Sequence, residues 1–179
     1  MIHPVLLPGD LVLTRSSSVL GRFIRWGERS RNEPPSRFNH GLVAVASPST
    51  IVEADLKVRR CSLWDYHETD GVVIYRPLGL TAEQIAAIVA EAERWVGKPY
   101  PALELFPYLL DNKLFGGRHV FRRILKPSPL GVCSRMARIA FGKAGLTFGK
   151  PEPDPDDMDD FCQAHREKYI CVFEQGVLA

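Results

Sequence analysis

The sequence predicts an α+β fold in which a small antiparallel sheet packs against helices. Two features of the chain carry this prediction. Two β-rich runs, His40–Ala46 and Thr50–Ala54, surround a Ser-Pro-Ser turn, a pattern typical of a hairpin. The motif Thr81-x-x-Gln84 is typical of a helix capping box, and the apolar residues after it keep helical spacing as far as Gly97. Together they favour a sheet with helices packed on it.

The other elements follow from the same two periodicities. Short apolar runs predict strands at Leu11–Thr14, 72–76 and 169–173. Helical spacing after capping residues predicts helices at 19–28, at 133–144 and from Asp154 to about residue 166. Residues 101–130 carry leucines, aromatic residues, a Gly-Gly break and a basic stretch, and we expect a helical and aromatic insertion there. The chain therefore forms one predicted domain, 1–179, that contains this insertion.

Charge and hydropathy exclude several classes of protein. The chain has 23 Lys and Arg residues against 21 Asp and Glu residues, and this net charge of +2 gives no reason to expect nucleic acid. No apolar run approaches the ~20 residues of a membrane helix, and the first ten residues lack the segments of a signal peptide. We expect a protein that is cytoplasmic as synthesised. The alternative is a protein delivered to the periplasm or a target cell by a non-Sec route, with a delivery apparatus or an immunity partner of unknown identity.

The four cysteines give no sign of a metal site. Cys61, Cys133, Cys162 and Cys171 form no CxxC pair, and the five histidines complete no zinc spacing. Cys162 and Cys171 are expected to be small core residues. The acidic run at 152–160 lacks the EF-hand pattern, and Asp154 as N-cap with Pro155 after it predicts a helix start instead of a calcium site. We expect neither a metal nor an organic cofactor.

Cys133 differs from the others in its position at the start of a predicted helix. Pro127, Pro129 and Gly131 mark a loop immediately before it. The first-turn N–H groups and the positive end of the helix dipole stabilise a thiolate there. The alternative is a core position, because Cys133 also belongs to an apolar helical stripe. The stripe continues through Met136, Ala137, Ala140, Phe141 and Ala144.

A nucleophilic cysteine needs a base, and the base needs a group that orients it. His40 begins the first strand of the predicted hairpin, and Glu53 lies on the second. Side chains alternate along a strand, so a turn with an even number of residues places the two on one face. An odd turn places them on opposite faces. The spacing permits a Cys-His-Glu triad without requiring it.

Five short motifs occur in an order that resembles a known family. They are GDLVLTR near the start, NHGLVAV with His40, IVEA with Glu53, GKPY at 97–100 and VCSRMARIAF from residue 132. This order resembles the circularly permuted NlpC/P60 family of papain-like thiol hydrolases, which includes YiiX-like proteins and, more distantly, lecithin:retinol acyltransferase-like enzymes. The resemblance covers about residues 8–160, and it implies a permuted papain-like architecture.

The resemblance implies a role for four residues. Cys133 corresponds to the nucleophile, His40 to the general base and Glu53 to the third polar residue. Tyr100, in GKPY, corresponds to a tyrosine that lines the site and helps to hold the oxyanion; the alternative for Tyr100 is a turn aromatic after a proline. The chain departs from its relatives at Arg135, where many carry an acidic residue, and in the length of 101–130.

The activity that the resemblance implies is hydrolysis of an amide bond through a thioester, most often in peptidoglycan stem peptides. The first alternative is a lipid or fatty-acyl ester or amide hydrolase, or an acyltransferase, of the lecithin:retinol acyltransferase-like type. The second alternative is a catalytically silent binding module. The expected partner is accordingly a peptide, peptidoglycan or acyl-lipid substrate.

Overall fold

The structure is a computed structural model that describes residues 4–15, 37–54, 57–65, 71–98 and 132–176, and of residues 132 and 133 the backbone alone. Its strands are β1 (Leu11–Thr14), β2 (His40–Ala46), β3 (Thr50–Ala54), β4 (Val58–Ser62), β5 (Val72–Pro77) and β6 (Tyr169–Gln175). Its helices are α1 (Ala82–Glu93), α2 (Val132–Gly142) and α3 (Pro155–Ala164), with a 3₁₀ turn at Leu63–Asp65.

The six strands form one antiparallel sheet in the order β4-β3-β2-β1-β5-β6. The short strand β1 lies near the middle, paired with β2 on one side and β5 on the other. All four of its residues are buried, as expected of a central strand. The sheet is thus built around β1, and β2 and β3 form the hairpin beside it.

The sheet has two buried faces with different partners. One face carries alternate strand residues such as Leu13 and Val43, and these pack with Met136 and Ala140 of α2 and with residues of α1 and α3. The other face carries Val12, Leu42 and Ile51, which pack with Leu6 and Leu63. We call these the helix face and the opposite face. Which face a strand residue occupies decides what it can reach.

Most of the predicted elements are confirmed. The β2–β3 hairpin and strands β1, β5 and β6 are present, and their ends lie within two residues of the predicted ones. Thr81 caps α1 through a capping box with Gln84, and Asp154 caps α3 through a capping box with Asp157. The α+β fold class, with helices on an antiparallel sheet, is therefore confirmed.

Helix ends differ from the prediction by a few residues. The first helix stops at Glu93, and a run of turns continues to Gly97, which adopts a positive φ of 86°. Only glycine takes this left-handed backbone at little cost, so Gly97 ends the turns that follow the helix and not the helix itself. The helix α2 begins one residue earlier and ends two residues earlier than predicted.

One strand is missing from the sequence prediction, and one sequence prediction is wrong. Strand β4 is not predicted, because its sequence Val-Arg-Arg-Cys-Ser lacks a continuous apolar run; it is an edge strand, where polar residues are tolerated. Cys171 is exposed and not part of the core, because it lies on the other edge strand, β6, whose middle residues are open to solvent. Cys162 is fully buried in α3, as predicted.

Several predictions lie outside the described residues. They are the helix at 19–28, the insertion at 101–130 and the position of Tyr100. The single domain 1–179 also stays a prediction. Among the helices that the structure describes, none has the length and apolar character needed to cross a bilayer.

Candidate active site

The hairpin of β2 and β3 brings His40 and Glu53 to the same face of the sheet. Three residues, 47–49, separate the paired residues Ala46 and Thr50, and such an odd turn alone would place the two side chains on opposite faces. However, the register shifts between Ala46 and Ala44, so that β2 contains one extra residue in a β-bulge. The extra residue changes which positions of β2 and β3 share a face. Both side chains therefore lie on the same side of the sheet, the one that packs with Leu6 and Leu63 and that we call the opposite face.

The imidazole of His40 and the carboxylate of Glu53 form an ion-pair contact. His40 Nε2 lies 3.5 Å from Glu53 Oε2, with the Glu53 side chain fully buried and that of His40 13% exposed. A carboxylate at this position favours one orientation of the ring and stabilises its protonated form. The arrangement can therefore hold a proton on His40 close to the first residue of β2.

Arg59 contacts the other oxygen of the same carboxylate, and sequence analysis did not identify it as a site residue. Arg59 faces Glu53 directly across the β3–β4 ladder, and its Nε donates to Glu53 Oε1 at 2.6 Å. The one available signal is the pair of arginines, Arg59 and Arg60, that follows Glu53 by a few positions. Because β4 is not predicted from the sequence, the register of these arginines could not be inferred.

Two positive groups counter the cost of burying the Glu53 carboxylate. Burial by itself raises the pKa of this carboxyl, but the hydrogen bond from Arg59 and the nearby charges of His40 and Arg59 lower it by more, so the net shift is downward. Glu53 is therefore ionised over the whole neutral range. Cys61, on β4, lies beside the same carboxylate, and the pKa of its thiol is raised by burial and by Glu53. Cys61 is thus a poor candidate for a reactive thiol.

The start of α2 lies against the start of β2. A Cβ atom placed on Gly41 would lie 3.7 Å from Ser134 Cα and 3.9 Å from its backbone nitrogen. Gly41 follows His40, and Ser134 follows Cys133, so the contact brings the backbones of the two predicted catalytic positions together. A side chain at position 41 would lie on the helix face, whereas the side chain of His40 lies on the opposite face. His40 is the first residue of its strand, and a thiol from α2 would have to meet its ring around the end of β2.

Of the four predicted site residues, the structure describes two side chains. His40 and Glu53 are in contact. Cys133 is the second residue of α2, so it occupies the first turn of a helix as the sequence predicts, but its side chain lies outside the described residues. Tyr100 lies outside them altogether.

A cavity of about 280 Å³ lies elsewhere, between α3 and the β5–β6 edge of the sheet. Its lining includes Arg37, Tyr75, Cys162 and Tyr169. Neither His40 nor Glu53 contributes to it, so this cavity is separate from the candidate site.

Comparisons with known proteins support the fold. The chain matches no protein-family model and no curated protein sequence. Among solved structures it is similar to a chain described as metalloprotein yiiX from Escherichia coli O157:H7, DUF1105. That similarity has a TM-score of 0.50 at 18% identity and covers 96% of this chain and 98% of the other. At this identity the likeness shows a shared fold, to which neither chain adds a large unmatched region.

The word metalloprotein belongs to that neighbour. Within the segments of this chain that the structure describes, no three His, Cys, Asp or Glu residues form a group that could hold a metal ion. Several acidic residues of 152–160 make protein contacts; Asp154 and Asp157, for example, close the capping box of α3. We assign none of these residues to a metal.

Proposed function

We propose that the protein is a cysteine-dependent hydrolase of the permuted NlpC/P60 type, with Cys133 as nucleophile, His40 as general base and Glu53 as the group that orients His40. The contact between His40 and Glu53 carries the proposal, because a carboxylate beside an imidazole orients the ring and stabilises its protonated form, as a general base requires. The packing of Gly41 on the start of α2 and the YiiX-like fold support it.

The proposed chemistry is acyl transfer through a thioester. The Cys133 thiolate attacks the carbonyl carbon of an amide, and the first-turn N–H groups of α2 stabilise the negative charge on the oxygen. The C–N bond then breaks, and protonated His40 gives its proton to the leaving amine. Water, deprotonated by His40, attacks the thioester, releasing the acid and restoring the thiolate. Tyr100 is proposed as an additional donor to the oxyanion.

The proposed substrate is an amide bond in a peptide, with peptidoglycan stem peptides as the first case to test.

The mechanism has one geometric requirement at this site. The Cys133 thiol must reach the ring of His40 around the first residue of β2, because α2 packs on the helix face whereas His40 lies on the opposite face.

The mechanism is tested by the reactivity of each cysteine as a function of pH. Iodoacetamide adducts are quantified by mass spectrometry in the native protein, in His40→Ala and in a matched control, His165→Ala. His165 lies at the end of α3, where its ring contacts Phe161 and not the hairpin. A free thiol titrates near ~8.5, and pairing with a histidine lowers this by several units.

We expect Cys133 to react fast below pH 7 in the native protein and in His165→Ala, and to lose this reactivity in His40→Ala. Equal behaviour in all three proteins would show that His40 does not activate the thiol, and a binding module would then be the better explanation. Loss of turbidity of purified cell walls would support the peptide substrate, whereas release of fatty acid from micelles would overturn it in favour of a lipid substrate.

A further inference from the structure

The chain enters β2 through a short segment, 37–39, that is held by helix α3. This segment immediately precedes His40, and Phe38 within it is fully buried. The backbone nitrogen of Asn39 donates to the carbonyl of Thr14, and His40 then continues the same ladder opposite Thr14. The sheet therefore holds one side of this segment, and helix α3 contacts its other side.

One carboxylate makes the contact from α3. Asp156 Oδ1 accepts from the backbone N–H of Phe38 at 2.8 Å, and Asp156 Oδ2 accepts from that of Arg37 at 3.2 Å. These are charge-assisted bonds, which are about twice as strong as neutral ones. Two donors on consecutive residues, each bound to a different oxygen, restrict both the position and the direction of the backbone just before His40.

The orientation of Asp156 is itself fixed by its neighbours on the helix. Asp154 and Asp157 are occupied with each other in the capping box, so they set where the helix begins. One turn later, Asp159 is 1% exposed and accepts from Tyr75 of β5 at 2.5 Å, from the side chain of Arg37 at 2.8 Å and from Gln163 at 2.9 Å. This network anchors α3 to the sheet, in a position from which Asp156 contacts the segment before β2.

We propose that Asp156 is a positioning residue, which acts through the backbone of Arg37 and Phe38 to hold His40 where it can meet the thiol at the start of α2. The inference depends on the proposed function, because it assigns Asp156 a part in activating Cys133. It also explains why an acidic residue in the first turn of α3 is aimed at a strand more than a hundred positions away in sequence.

The test uses three variants of the full chain. Asp156→Ala removes both acceptors, Asp156→Asn keeps one, and Asp160→Asn is the matched control, an exposed carboxylate on the same helix. Two readouts are taken on each folded protein. Hydrogen exchange of the Arg37 and Phe38 amides reports whether the two bonds are lost, and the pH profile of Cys133 alkylation reports whether His40 still activates the thiol.

We expect faster exchange at both amides in Asp156→Ala, and a fall in the Cys133 alkylation rate at pH 6 on the order of tenfold or more, since small misplacements of a reacting group are expensive. Asp156→Asn should lie between this variant and the native protein, and Asp160→Asn should match the native protein. If Asp156→Ala does not fold, Asp156→Asn decides the question in the same way.

The inference is overturned if the amide bonds are lost while the pH profile of Cys133 stays that of the native protein, since Asp156 would then only stabilise the fold. It is also overturned if Asp160→Asn has the same effect. Failure of the proposed function gives a different result, in which the native protein itself shows no reactivity that depends on His40.

Discussion

Arg59 and Glu53 lie directly opposite each other on neighbouring strands, and the guanidinium Nε of Arg59 donates to the buried carboxylate at 2.6 Å. His40 approaches the other oxygen of the same carboxylate to 3.5 Å. Glu53 thus lies between a permanent cation and one that depends on pH. This arrangement keeps Glu53 negative when His40 loses its proton, which a general base requires of its orienting group.

Replacement of Arg59 should lower stability more at neutral pH than in acid. In Arg59→Met, Glu53 loses a hydrogen bond and a positive charge, so the pKa of its carboxyl rises. Glu53 is fully buried, so the loss of this hydrogen bond should lower the free energy of unfolding at pH 7 by about 1–3 kcal/mol, although the Arg59 side chain is 60% exposed. Because protonation of Glu53 weakens the same contact in the native protein, the difference between the two proteins should shrink as the pH falls from 6 toward 3. Chemical denaturation at both pH values measures this difference.

Arg60→Met is the matched control for this prediction. Arg60 is the next residue on β4 but binds Glu93 of α1 on the helix face. If the stability loss in Arg60→Met depends on pH as strongly as that in Arg59→Met, the effect comes from general surface charge and not from the contact with Glu53.

Glu53→Gln should remove a component of stability that depends on pH. The pKa of Glu53 is lowered from 4.5, so its contribution is present above that value and is lost as the pH falls through the folded-state pKa. The native protein should therefore be the more stable of the two at pH 6, and the difference should shrink as the pH falls toward 3. Chemical denaturation at both pH values measures this, and a difference that grows in acid would contradict it.

Glu53→Gln should also slow the alkylation of Cys133 at neutral pH by about tenfold or more, because His40 loses the charge that stabilises its protonated form. The thiol of Cys162 in α3 serves as the internal reference, since burial raises its pKa and Glu53 is not among the groups that affect it. A change at Cys162 as large as that at Cys133 would indicate unfolding and not a local effect.

The size of residue 41 should control the contact between β2 and α2. Gly41→Ala places a methyl group 3.7 Å from Ser134 Cα and from Leu13 Cδ2, which are ordinary contacts, so the variant should fold and react normally. Gly41→Val adds two more methyl groups at the same place and should cost about 1–3 kcal/mol. Thermal denaturation and Cys133 alkylation measure the two effects.

Gly142→Val is the control for residue 41. Gly142 is the last residue of the same helix, and a Cβ there meets nothing within 4 Å. The prediction for Gly41 is wrong if valine is tolerated equally well at both positions.

Two buried tyrosines should respond differently to loss of the hydroxyl. Tyr75 donates to Asp159 at 2.5 Å, so Tyr75→Phe leaves a buried carboxylate short of a donor and should cost about 1.5–3 kcal/mol. The hydroxyl of Tyr169 is buried without a hydrogen-bond partner among the described residues. Tyr169→Phe should therefore be neutral or stabilising. Urea unfolding of the pair gives the comparison directly, and equal losses would refute it.

Local sequence signals predicted most of the elements, because each depends on residues close in the chain. The capping boxes at Thr81 and Asp154 are examples, since both partners lie within three positions. Strand β4 was missed because its pairing with β3 gives it order that its own polar sequence does not signal. Cys171 was misplaced for a related reason, since an edge strand exposes residues that a central strand would bury.

The residues of the candidate site likewise differ in whether the sequence alone could identify them. The residue types and their order suggested Cys133, His40 and Glu53, and the helix start at Cys133 follows from the loop before it. The face that His40 and Glu53 share was decided by a bulge in β2, which no spacing in the chain reveals. Arg59 and Asp156 became visible only in three dimensions, because one acts across a strand pair and the other across more than a hundred residues. Hydrogen bonds of this kind depend on distances set by packing, whereas caps and periodicities depend on the chain alone.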